Sequence, residues 1–111
     1  TGPRDKLLAI FDFLLHWFGA DEYRGCAFIN AYGELGAESP AVAEAVRRQK
    51  ADFQEYVAGL VAELGGPRHL AAQLAILAEG AQTTAAISGG VQAAVDARSA
   101  AEILIDHALA S

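Results

Sequence analysis

Methionine is missing from all 111 residues, and the chain holds one cysteine, three prolines and one tryptophan. The lone Cys26 excludes an intramolecular disulfide and any zinc site built on cysteines. A chain without methionine even at its first position is expected to be a piece cut or processed from something longer. Basic residues are scarce, 8 Lys and Arg against 14 Asp and Glu, giving a net charge of −6. Such a segment lacks the clustered cations that phosphate contacts require, so it is not expected to bind nucleic acid itself. No basic stretch followed by an apolar run opens the chain, so no secretion signal is expected. No segment reaches the ~20 uncharged apolar residues of a membrane span. The nearest candidate, 70–87, is interrupted by Gln73, Glu79, Gly80, Gln82 and two threonines, and a buried helix explains it better. Yet 53% of residues are hydrophobic and only 20% charged, too apolar and too weakly charged for a disordered chain. The length suits one domain spanning 1–111.

Alanine dominates, strand-like alternation is absent, and Gly and Pro fall mostly between apolar blocks. These features predict an all-α fold of about five helices. The first is expected from Pro3 to Phe18, ending at Gly19, and the second from about Arg24 to Leu35, ending at Gly36. Ser39-Pro40 is a start signal, since serine caps and proline suits the first helical position. The third helix should therefore run from there to Leu64, where Gly65-Gly66-Pro67 stops it. The fourth should continue to about Ser88, and the fifth should fill Val91 to Leu109 after Gly89-Gly90.

The helices differ in how much apolar surface they carry. The third is amphipathic, with Val42, Val46, Gln49, Phe53, Tyr56, Leu60 and Leu64 at helical spacing and Arg47, Lys50 and Gln54 opposite. Its basic triplet Arg47, Arg48 and Lys50 is mixed with acids, in possible pairs Glu44–Arg48 and Arg48–Asp52, and reads as a solvated face. Between Arg68 and Asp96 the only charge is Glu79. One row there, Leu70, Leu74, Leu77, Ala81 and Thr84, can face a core, and a second, Ile76, Gly80, Thr83 and Ile87, remains. A helix apolar on two faces must bury both, and a domain this small rarely covers both alone. The fifth helix adds Ala101, Leu104, Ile105 and Ala108. These two rows predict a homodimer joined through the last two helices as a four-helix bundle.

Aromatic surface gathers in the first three helices. Phe11, Leu14, Leu15 and Phe18 lie along the first, and Phe28, Ile29 and Tyr32 along the second. Phe53, Tyr56 and Val57 lie along the third, with Leu74 and Leu77 facing them from the fourth. Apolar walls with a few polar tips suit a small-molecule pocket, and an ordinary core needs much the same.

Catalytic groupings are sparse. His16, His69 and His107 fall on three different helices without a metal ligand at useful spacing, so neither a metal nor another cofactor is expected. Asp12 and His16 form an i,i+4 pair that reads as solvated. Cys26 lies in a first helical turn near Arg24, which would lower a thiol pKa, but a free cysteine on a helix more often packs. No catalytic residue is assigned.

The segment Arg24-Gly25-Cys26-Ala27-Phe28-Ile29-Asn30-Ala31, following a helix like 3–18, resembles the C-terminal domain of TetR-family transcriptional regulators. The long helix from Ser39-Pro40 fits that pattern, as does Gln73-Leu74-Ala75-Ile76-Leu77-Ala78-Glu79-Gly80-Ala81 before the break at Gly89-Gly90. The resemblance covers essentially the whole chain. It implies a cytoplasmic regulatory domain that binds a small apolar or amphipathic effector and dimerises. It also implies that DNA is bound only by an upstream helix-turn-helix domain absent from this chain. Two other readings stay open: a helical dimerisation module without a ligand, and a small helical enzyme using Cys26 or His16.

Overall fold

The computed structural model describes residues 2–20 and 39–110. Among these residues there are four α-helices and no strand: α1 (Pro3–Phe18), α2 (Pro40–Glu63), α3 (Arg68–Ser88) and α4 (Gln92–Leu109). The all-α expectation holds, and the ends of each of the four helices fall within about one residue of their sequence signals. The helix expected over 24–35, with Cys26, Phe28, Ile29 and Tyr32, lies outside the described residues.

Local chemistry sets the ends. Ser39 is extended, and its hydroxyl accepts a hydrogen bond from the Val42 amide at 3.3 Å. This satisfies one of the free donors at the start of α2. At the other end Gly65 takes φ +74°. Its amide donates to Ala62 O and that of Gly66 donates to Val61 O, both at 3.0 Å. These paired bonds form a Schellman turn, whose left-handed residue favours glycine. The turn folds α3 back along α2.

The core is contributed by all four helices. Leu7, Leu8, Phe11, Leu14 and Phe18 of α1 pack with Val57, Leu60 and Val61 of α2. Leu70, Leu74 and a run of buried alanines come from α3, and Ala94, Ala97, Ala101 and Ile105 from α4. Helix α4 touches α1 and α3 but not α2 among the described residues, while α2 touches α1 and α3. The four helices thus close in the order α1–α4–α3–α2, with α1 also reaching α3 across the middle. Small side chains on α4 let its backbone approach both neighbours while Ile105 fills the larger gap.

The expected helix faces need some revision. Thr84, placed on the core row, is exposed, and Leu77 is half-buried. Arg48 pairs with Glu44 at 3.7 Å, and no Arg48–Asp52 pair forms among the described residues. Asp12 turns away from His16 to hold Arg98 at 2.8 Å, because the antiparallel α4 brings a guanidinium to the same edge.

Candidate functional site

Two sides of α4 present opposite chemistry. Along its edge with α1 runs a ladder of ion pairs. Arg4 reaches Asp106 through two hydrogen bonds of 3.0 and 3.1 Å, and Glu102 lies 3.9 Å away. Arg98 bridges Asp12 at 2.8 Å and Glu102 at 2.6 Å. The hydrogen bond that Arg4 donates to Asp106, then the charge of Asp106, raises the Arg4 pKa above the usual guanidinium value. The ladder fixes α1 antiparallel to α4, with Arg4 opposite Asp106 and Asp12 opposite Arg98.

The seam between α3 and α4 carries almost no charge on its outer side. Two grooves run along it. One, of about 420 Å³, is lined by Ile76, Leu77, Gly80, Ala81 and Thr84 of α3 and by Ala93, Asp96 and Ala97 of α4. The other, of about 520 Å³, lies where α3 begins and α4 ends, between Pro67, His69, Leu70 and Gln73 and the facing Leu104, His107, Ala108 and Ala110. Of these lining residues only Asp96 carries a formal charge with histidine neutral. Large aliphatic side chains stand out beside the seam: Ile76 is 68% exposed, Ile87 82% and Ile103 66%. At Gly80 an added Cβ would meet nothing within 4 Å, so the surface is open there. The Thr83 hydroxyl lies 3.4 Å from the Glu79 carbonyl of its own helix and donates to it. Burying this side would therefore leave no threonine hydroxyl unpaired at that position.

The eight residues expected at a dimer interface divide accordingly. Ile76, Gly80, Thr83 and Ile87 are exposed on α3, and Leu104 and Ala108 are partly exposed along the seam. Ala101 and Ile105 are a correction: both are 0% exposed within the single chain. They belong to its core and have no surface left for a partner. On α4 the outward stripe is Asp96, Ala100, Ile103 and His107, at spacings of four, three and four. Ile103 was missed because its neighbours Leu104 and Ile105 make a continuous apolar run in which periodicity alone does not say which side is buried.

The expected pocket walls are spread between core and surface. Phe11, Leu14, Phe18, Val57 and Leu74 are buried in the main cluster, and Phe53 and Leu77 pack partly against it. Leu15 is 36% exposed and Tyr56 52%. Phe28, Ile29 and Tyr32 fall outside the described residues. Of the nine that are described, Leu77 alone lines either seam groove, so among the described residues those grooves are not walled by the aromatic residues expected to form the pocket.

Two buried polar atoms stand apart. Glu79 Oε1 makes no hydrogen bond among the described residues but lies 3.5 Å from Lys50 Nζ, so the one charge in the middle of α3 is matched as an ion pair from α2. Gln49 Oε1, one helical turn before Phe53, is buried with no hydrogen-bond partner among the described residues. Buried acceptors of this kind are uncommon and call for a donor. No group of three or more His, Cys, Asp or Glu side chains that could hold a metal gathers among the described residues. No described helix is long and apolar enough to cross a membrane. Comparison with protein-family models, curated proteins and solved structures finds no match for this chain.

Proposed function

We propose that the chain is the effector-binding and dimerisation domain of a TetR-like transcriptional regulator, working in the cytoplasm. The observation that carries the reading is the outer side of the α3–α4 seam, where Asp96 is the one formal charge lining the grooves and Ile76, Ile87 and Ile103 are exposed. A second copy using the same patch about a two-fold axis would bury these side chains and make a four-helix bundle of two α3–α4 pairs. A stable pairing of this kind buries on the order of 1,600 Å² in total, with aliphatic residues at its centre.

Effector binding is supported by the aromatic residues of α1 and α2 together with the orphan acceptor Gln49 Oε1. A small amphipathic molecule would place its apolar body near Phe53 and Tyr56 and a donor on Gln49. By favouring one of two dimer arrangements it would shift the spacing of DNA-binding domains carried upstream. Its leverage equals its differential affinity for the two states. With a net charge of −6, this chain alone should give no gel shift with duplex DNA at physiological salt, and in this reading DNA contact falls to the upstream domains.

The effector reading is tested by the melting temperature with and without 1-decanol as an amphipathic probe. A rise that Phe53→Leu, Tyr56→Leu and Gln49→Leu each diminish supports it. If decanol and a panel of apolar alcohols and acids leave the melting temperature unchanged, the ligand-free dimerisation module is the better reading.

A further inference from the structure

The groove at the Pro67–Ala110 end of the seam adds two imidazoles to the face that the proposed dimer would use, a chemistry that its aliphatic centre does not draw on. His69, in the first turn of α3, and His107, in the last turn of α4, line the same cavity of about 520 Å³. Both are exposed, and neither ring has a hydrogen-bond, ion-pair or ring partner among the described residues. His16, the third histidine, lies on α1 and lines neither seam groove.

From this we infer that His69 and His107 form a two-imidazole site for a divalent transition-metal ion, of the Cu²⁺, Ni²⁺ or Zn²⁺ class. A neutral imidazole offers a ring nitrogen lone pair that suits these ions and is poorly matched to Ca²⁺ or Mg²⁺. Two such rings on separate helices, each without a competing partner, can share one ion while water completes its coordination. Gln73 lines the same groove, and a glutamine amide oxygen can serve as a further ligand atom. The negative end of α4 and the positive end of α3 meet here, so the helix dipoles largely offset one another. Affinity then comes from the ligand bonds and from the net charge of −6, which draws cations to the protein. Because the two rings hang on different helices, a bound ion would also tie the start of α3 to the end of α4. It would stabilise the fold by binding the native state alone.

The test is a Zn²⁺ titration by calorimetry on chain free of any histidine tag, with Cu²⁺ electron paramagnetic resonance to count coordinated nitrogens. One ion per chain is expected, with two imidazole nitrogens on copper. His69→Asn and His107→Asn should each weaken zinc binding by about a hundredfold, the gain expected from holding two ligands on one scaffold. His16→Asn should leave the affinity as it was. Both groove histidines are exposed, so the variants should keep the parent melting temperature without metal, and this is checked first. The inference is overturned if neither groove variant lowers affinity more than His16→Asn, or if copper carries a single imidazole that one substitution removes. Light scattering on the same samples without metal reports assembly separately, so failure of the metal site and failure of the dimer reading remain distinguishable.

Discussion

Helix α4 separates two surfaces made by opposite means. On its α1 side Arg4, Asp12, Arg98, Glu102 and Asp106 lace two helices together in water. On its α3 side the outer seam has Asp96 as its one formal charge, and isoleucines stand in solvent. Ion pairs that remain solvated add little stability but fix which helix lies beside which and in what direction. Apolar side chains left exposed in a contiguous stripe have no such benefit for a single chain and mark a surface meant to be covered. The α1–α4 edge is finished within the chain, whereas the α3–α4 face leaves isoleucines exposed and, in the proposed reading, is the face a second copy would cover.

That contrast can be broken most severely from the bare side. Gly80→Glu puts an anion into the middle of the seam, where Asp96 lines the same groove and pairing would bury it unmatched at a cost of about 3–5 kcal/mol. The variant should keep its helical circular dichroism and run as a monomer in analytical ultracentrifugation at concentrations where the parent is dimeric. Ile105→Ala acts on the side of α4 already buried within the chain. Its loss should be about 2–5 kcal/mol from missing burial and a new cavity, read as a lower urea midpoint at a fixed protein concentration. Placing the same residue in the dimer interface instead would predict a change in assembly with the monomer fold intact.

Gly65→Ala forces a residue with Cβ to hold φ +74°, and should cost about 1–2 kcal/mol in the same urea titration. It would leave both sides of α4 chemically unchanged, which makes it a control for general destabilisation. The smallest effect belongs to the ladder. Arg98→Ala should cost about 0.2–1 kcal/mol, and the difference from the parent should shrink as salt is raised. A loss of several kcal/mol that salt does not alter would mean that the charged edge carries as much of the fold as the core.

Much of the fold was legible because its punctuation is chemically sharp. Ser39-Pro40 begins a helix, and Gly65-Gly66-Pro67 ends one and starts the next, through local bonds that need no tertiary partner. The second apolar row on α3 was also readable, since Glu79 is the only charge between Arg68 and Asp96, and the row is exposed. On α4 the reading failed at Ala101 and Ile105, which pack into the core. Alanines recur all round that helix, so hydrophobic periodicity does not mark one side, and orientation is decided by what α1 and α3 offer across the gap. The charged residues hold that information: Arg98, Glu102 and Asp106 share the stripe that meets Arg4 and Asp12. Asp12 illustrates the same limit, because the i,i+4 neighbour His16 is visible in sequence and the stronger partner Arg98 is 86 residues away. The pocket walls were the least legible. Apolar residues at helical spacing serve a core and a cavity alike, and Phe11, Leu14, Val57 and Leu74 are buried in the main cluster while Tyr56 lies at the surface.

The central claim is that the α3–α4 face is completed by a second copy. It is tested most directly by the mass of the unmodified chain in solution, measured by light scattering behind size exclusion at micromolar concentration. The account predicts twice the chain mass of 11.6 kDa. A mass of one chain across that range would contradict it.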